Sequence, residues 1–570
     1  MSNLEKIIEN INNKNFEQAL KLCDIYEDSN NKHIILNFRG VIHLLEKKQD
    51  LAEANFLESI RLNEKFEDPI KNLYILYLNK KLFKKLLFCA KKLIQIDELN
   101  HKYNYQLAFA LELNNNLTEA IEYYKICINF NSVDKKRCLN NIGSIYLGKI
   151  KPKIALNYFL KALELGEDKI IINNVLKCFI KLRDLNKANL YFDKAEKIDK
   201  NYIEFIFNKV EYLILKNQIE DAIIILEENK NKSKFLITLL KLLFNIGKND
   251  DAKKLLIKSR KDNEKNSDFF NYFAHRSLYE GNFDEGWKYY EYRLAKKIDY
   301  FKDIKEWSGE KIDKKNIIVF SEQGLGDCIQ FSKYLIPLTK IANNVTFVVQ
   351  DSLENIFKKD FSNLSIKIIE NCKNQKFDFK ITLGSLIKFF FKEKIDNAEN
   401  LIQLNNENNI KWKNKIDNSK LNVGLVWSGS FNGSNQPYRS ITLKSLEKIL
   451  SLNANFFCLQ NEIWDIDLDY FKSSDFIDCR KYNLDEIASI IKNLDLVITV
   501  DTLFPHLAAS LNIETWALIN LNPDWRWGEF NKFNPYKNLI IFKQKTFNEW
   551  NDIINEIFEN LNKKIKEIKK

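Results

Sequence analysis

Over the first 300 residues apolar positions recur at helical spacing, one period after another, with short polar breaks between them. Beyond residue 300 the pattern changes. Compact runs (NIIVF, VTFVVQ, SIKIIE, VGLVW, FFCLQ, LVITV, TWALI) alternate with helical stretches, as in a fold of largely parallel strands joined by helices. The pattern therefore predicts an α-solenoid over 1–300 followed by an α/β region.

The helical part has an internal period. Small residues occupy matching places on every second helix, at Ala52, Ala120, Ala155, Ala188, Ala222, Ala252 and Gly286, with Leu86 in the same slot. Two helices pack closely only where their crossing point is small, and a larger side chain four residues on (Phe56, Tyr124, Phe159, Phe192, Tyr290) fills the neighbouring groove. Gly40 and Gly143 supply a similar close approach on the first helix of their pairs. The period, close to 34 residues, resembles the tetratricopeptide repeat, and a degenerate unit around Ala19 brings the expected count to about nine helix pairs. Such a solenoid offers a concave surface that holds a peptide or partner protein. Its lone histidines, His33, His43, His101 and His275, are too separated to form a metal cluster and read as ordinary helix residues.

Composition narrows the function classes. Lys and Arg (88) exceed Asp and Glu (77) by 11, but the lysines are spread along the chain, so no nucleic-acid partner is expected. Nine scattered cysteines without a C-x-x-C pair suggest neither a disulfide framework nor a zinc site. No apolar run approaches the ~20 residues that span a bilayer, and the amino terminus lacks a signal-peptide pattern. The expectation is a reduced, cytoplasmic protein.

Four loops after predicted strands carry candidate chemistry. In SEQGLGD, Gly324 and Gly326 allow a sharp turn, and Asp327 starts the next helix, either as its cap or as a carboxylate at the crevice. The third glycine of a dinucleotide fingerprint is missing, so NAD is not indicated. In LVITVDTLFPHLAASL, Asp501 and Thr502 end a strand while Pro505 and His506 enter a helix. Helix amides, the Thr502 hydroxyl and a donor or proton from His506 suit nucleotide phosphates. In VGLVWSGSFNGSNQPYRSITL, a loop with Gly429 and Gly433 leads to Arg439, a phosphate clamp or a solvated side chain. In NPDWRWG, Trp525 and Trp527 bracket Arg526, which makes either a stacking surface or a packed corner. Two Rossmann-like halves, 301–418 and 419–570, facing each other across a cleft would account for all four loops.

In this order, SEQGLGDCIQFSKYL, VGLVWSGS…YRSITL, DLVITVDTLFPHLAASL, NPDWRW and LIIFKQ…W resemble tetratricopeptide-repeat proteins with a domain related to ADP-heptose:lipopolysaccharide heptosyltransferases, glycosyltransferase family 9. GNFDEGWKYYEYRL is similar to the last repeat of that group. The resemblance implies a GT-B fold with an acceptor-side first half and a donor-side second half, and metal-independent, inverting transfer from a nucleotide-diphosphate-sugar with no other cofactor. It places the general base on Asp327 and the donor phosphates against Arg439, Asp501, Thr502 and His506. The cleft would include Gly324, Gly326, Trp525 and Arg526. Where relatives have a small residue after Asp-Thr, this chain has Leu503 and then Phe504, whose bulk is expected to narrow the site or change the donor. The repeats would recruit a protein or carrier-linked glycan acceptor, so a fragment of residues 301–570 is expected to keep nucleotide binding and lose transfer. The competing expectations are a non-catalytic repeat scaffold with a degenerate transferase domain, and a protein O-glycosyltransferase.

Overall fold

The computed structural model describes residues 3–28, 30–129, 135–149, 151–294, 301, 303–357, 363–372, 375–392, 401–429, 438–528 and 536–568; Gly433 lies outside them. Among the described residues, eighteen α-helices run in chain order from α1 (Asn3–Asn12) to α18 (Phe283–Tyr290). The small periodic residues all fall on the second helix of a pair and are buried. Their necessity is steric. A Cβ at Gly40 would stand 2.4 Å from the Phe56 ring, and one at Gly143 2.6 Å from Phe159. Eight of the tight turns within pairs set one residue left-handed, at Lys14, Lys47, Lys81, Asn115, Arg183, Asn217, Gly247 and Gly281. Only the last two are glycine, so the repeats bear this backbone cost with side chains that reach solvent.

The chain forms two compact units, Met1–Tyr212 and Leu213–Lys570. The division falls inside helix α13 (Ile203–Leu215), well before the change of pattern near residue 300. The later helix pairs thus belong to the same unit as the sheets.

That unit contains two parallel sheets. The first holds β1 (Lys305–Glu306), β2 (Asn316–Phe320), β3 (Asn344–Val348), β4 (Leu364–Lys367) and β5 (Phe379–Thr382) in the order β1-β5-β2-β3-β4. The second holds β6 (Leu421–Val426), β7 (Ala454–Cys458), β8 (Phe476–Asp478), β9 (Leu496–Val500), β10 (Thr515–Ile519) and β11 (Leu539–Lys543) in the order β11-β10-β9-β6-β7-β8. β6, β9 and β10 are buried along their whole length, as central strands covered on both faces must be. In each sheet the strand order reverses once, between β2 and β5 and between β6 and β9. These switch points are where an open α/β sheet leaves a crevice at its carboxyl edge. All nine cysteines are buried thiols, and none is in a disulfide. No helix among the described residues is long and apolar enough to cross a membrane.

Candidate active site

At the first switch point β2 runs into Ser321–Asp327. Gly324 caps the helix Leu325–Phe331, and Asp327, its third residue, accepts a hydrogen bond from the Gly324 amide at 3.0 Å. Asp327 thus serves the helix start without being its first cap. The loop is braced from behind: Gln350 Nε2 donates to the Gln323 carbonyl at 2.9 Å, and Gln323 Nε2 donates to the Tyr290 hydroxyl at 2.9 Å. Glu322, with 4% of its side chain exposed, pairs with Arg293 (6%) at 2.8 Å. Arg293 also donates to the Thr382 and Ser385 hydroxyls after β5, so it spans the switch from the end of the helical region.

At the second switch point the turn after β9 is organised by Arg439, whose Nη1 donates to the Asp501 carbonyl at 2.9 Å. Gly429 permits this, since a Cβ there would stand 2.7 Å from Arg439 Nε. The Thr502 hydroxyl accepts from the Phe504 amide at 3.3 Å and so closes its own turn. His506 is 3% exposed and stacks on Trp527 with centroids 5.4 Å apart. Phe504 is buried in the core shared by the two halves and Leu503 packs against that core. The bulk expected to crowd the phosphate turn is therefore directed into packing instead.

The two crevices meet. A Cβ on Gly326 would lie 3.2 Å from the His506 ring, 3.3 Å from Leu503 Cα and 3.4 Å from the Thr502 carbonyl. A side chain at 326 would press on the Asp501–His506 turn and push it back by a few tenths of an ångström, so glycine suits this close approach. Across the same seam Arg526 pairs with Asp327 from the first half and Asp524 from its own loop, while its guanidinium lies over Phe331 and Trp525. Trp525, Arg526 and Trp527 are 3%, 8% and 5% exposed. The NPDWRWG segment is thus a packed corner, and Trp525 and Arg526 are not an open stacking surface. Asp327, Arg526, Gly326 and His506 come together, and Arg439, Asp501 and Thr502 stand along the same carboxyl edge.

Burial dominates the electrostatics. It raises the Asp327 carboxyl, with Arg526 pulling the other way and Asp524 adding to the rise. It also raises Asp501, against the pull of Arg439. Burial alone would raise Asp524 too, but Arg526 and His275 hold that carboxyl well below the ordinary range. Burial, reinforced by Arg526, depresses His506 to about 3, so at neutral pH its ring offers one neutral N–H and no charge. The depressed value fixes a pH dependence. Between its ordinary value of 6.5 and about 3 the unfolded chain binds a proton that the folded chain refuses, so stability falls as pH falls through that window. The raised Asp327 and Asp501 act in the opposite direction and are common to wild type and variant. Urea melts at pH 7 and pH 5 are expected to show a steeper loss for wild type than for His506→Gln; equal slopes would mean that His506 is protonated in place.

No protein-family model matches the chain, and no curated protein matches it. Among solved structures it is similar to the glycosyl transferase family 9 protein from Veillonella parvula DSM 2008, at 15% identity over 45% of this chain and 91% of that one, with a TM-score of 0.33. It is also similar to PilF of Pseudomonas aeruginosa, at 15% identity over 36% and 93%, TM-score 0.30. A third is YrrB, described as a tetratricopeptide-repeat protein with an unusual peptide-binding site, at 19% over 31% and 91%, TM-score 0.26. These likenesses are remote, and the fold stands on the strand order and the repeats themselves.

Several participants sit outside the sequence motifs. His275 Nδ1 lies 3.5 Å from Asp524, and Arg276 Nη1 donates to Asn522 at 3.0 Å. Trp287 meets Trp525 edge-on at 5.4 Å. The last repeat thus forms one wall of the site; of these residues only Trp287 falls within GNFDEGWKYYEYRL, while His275, read from the sequence as an ordinary helix residue, and Arg276 precede it. A second finding is a set of buried polar atoms with no partner among the described residues: Ser428 Oγ beyond β6, Arg439 Nε, His506 Nδ1, Asn520 Oδ1 after β10 and Gln544 Nε2 after β11. Buried polar atoms are nearly always satisfied, by water or a ligand where the protein supplies no partner, and these five lie on the segments that follow β6, β9, β10 and β11. Among the described residues no group of three or more His, Cys, Asp or Glu side chains is placed to hold a metal ion.

Proposed function

We propose that the protein is a cytoplasmic glycosyltransferase that moves a sugar from a nucleotide-diphosphate donor to an acceptor recruited by the repeats. The observation that carries this reading is the meeting of two switch-point loops at Gly326, with a carboxylate on one side and a row of unsatisfied polar atoms on the other. The donor half binds the nucleotide along the carboxyl edge of β6, β9, β10 and β11. Arg439 Nε, the Thr502 hydroxyl and the neutral N–H of His506 face the diphosphate, while Asp501 holds the turn through its backbone. Guanidinium and hydroxyl donors directed at a leaving diphosphate stabilise its growing charge without a divalent cation.

Asp327 is the base. The acceptor oxygen forms a bond to the anomeric carbon as the bond from that carbon to the diphosphate oxygen breaks, and its electron pair departs with the diphosphate. The acceptor proton passes to Asp327, and one displacement inverts the configuration. For this Asp327 must exchange its Arg526 partner for the acceptor, and Arg526 is then available to the diphosphate.

Thermal melts of the full chain with a panel of nucleotide-diphosphate-sugars, in chelator, test the reading. One donor is expected to raise the melting temperature, because binding only the folded state stabilises it. Arg439→Ala and Thr502→Val are expected to weaken that shift, whereas Asp327→Asn keeps the shift and loses turnover. A shift that required magnesium would overturn the phosphate assignment. The Asp327–Arg526 pair favours one other reading, a scaffold that binds a nucleotide and transfers nothing; donor binding without turnover across a broad acceptor panel would establish it.

A further inference from the structure

Within the second compact unit a pocket of about 300 Å³ opens between the last repeats and the ends of β10 and β11. Phe244, Arg276 and Tyr279 border it from the helices Ser233–Asn245 and Ser267–Tyr279, while Asn522 and Lys543 border it from the sheet. None of Arg439, Asp501, Thr502 and His506 lines it, so it is not the phosphate turn described above. Its charges do not balance. Lys253, Arg276 and Lys543 share the lining with a single carboxylate, Glu280. Arg276 Nε donates to Glu280 at 2.9 Å and Lys253 Nζ stands 3.5 Å from it. Lys543 has no acidic partner among the described residues, and its amine donates to the Tyr279 hydroxyl at 3.1 Å.

Arg276 is the fixed member of this group. Its side chain is 9% exposed, its guanidinium lies over the rings of Phe244 and Tyr279 at 3.7 and 4.2 Å, and its Nη1 donates to Asn522 at 3.0 Å. Nη2 then remains as a donor with no partner among the described residues, and it is not closed off from solvent. Three cations held around one carboxylate repel one another, and the surplus is two positive charges. A carboxylate ligand would cancel half of it. A phosphate monoester, with a charge of about −1.5 to −2 at pH 7, cancels nearly all of it and offers an oxygen to each donor. We propose that this pocket binds a phosphate group, either the free ion or the monoester of a small molecule, with Arg276, Lys253 and Lys543 donating to its oxygens. The binding stands independently of the transferase reading.

The test is calorimetric titration of the full chain with inorganic phosphate and with glucose 6-phosphate. At least one is expected to saturate the protein; tighter binding of the ester identifies a phosphorylated small molecule as the ligand, and binding of the free ion at least as tight identifies inorganic phosphate. Lys253→Met and Lys543→Met are each expected to weaken that binding about tenfold, since each removes one charge-assisted donor. Glu280→Gln, which enlarges the positive surplus, is expected to tighten it several-fold, an outcome that damage to the fold would not produce. Absence of binding at tens of millimolar overturns the inference. So does binding that both lysine variants leave untouched, and its loss in Arg439→Ala would then place the phosphate at the donor turn.

Discussion

A fragment of residues 301–570 is expected to fail to fold, and a fragment of residues 213–570 to melt cooperatively. The sequence alone suggests the opposite for the shorter piece, because the strand pattern starts after residue 300. In the structure the shorter piece loses Arg293 and leaves Glu322, whose side chain is 4% exposed, without its cation; breaking a buried pair in this way costs about 3–5 kcal/mol. It also loses Trp287 and Tyr290, 5% and 1% exposed, each worth at least ~1.5 kcal/mol in burial. Arg276 and His275 are lost from Asn522 and Asp524 as well. Against a total stability of roughly 5–15 kcal/mol these losses decide the outcome. Circular-dichroism melts and gel filtration check it, and a soluble 301–570 fragment melting with the longer one would show that the last repeats are dispensable.

Arg526→Met carries the second large effect. The guanidinium neutralises Asp327 and Asp524 at once, with side-chain exposures of 24% and 14%, so its removal leaves two partly buried carboxylates facing each other. The expected loss is about 3 kcal/mol, read as a lower urea midpoint with unchanged slope. Adding Asp327→Asn and Asp524→Asn to the same protein is expected to restore much of it, because replacing all the partners of a buried ionic group is far cheaper than removing one. A triple variant no more stable than Arg526→Met would show that the arginine acts by packing on Phe331 and Trp525.

Much of this was legible in the chain, for identifiable reasons. The repeats show because Ala52, Ala120 and Ala155 must be small and recur where helices cross. The central strands show because burial on both faces makes them continuous apolar runs. Phe379–Thr382 was missed because Lys380 interrupts the run; the structure buries it with its amine on the Phe301 carbonyl at 2.9 Å. The Asp501–His506 spacing pointed to a strand-to-helix turn, but no local pattern announces that Arg526 meets a carboxylate 199 residues earlier. The unit boundary at residues 212 and 213 is silent in the sequence, since the helical period runs straight through α13.

The nine buried thiols give the fold a built-in clock. All nine are buried, and burial pushes Cys178, Cys458 and Cys479 up to about 12, so an alkylating reagent has little access to them until the chain opens. Cys23, Cys89, Cys127, Cys138 and Cys178 lie in the first compact unit, and Cys328, Cys372, Cys458 and Cys479 in the second. Under a brief pulse of reagent in rising urea, the mass of each molecule then records which unit has let go: five adducts if the repeats open alone, four if the sheets do, and nine if the two fail together.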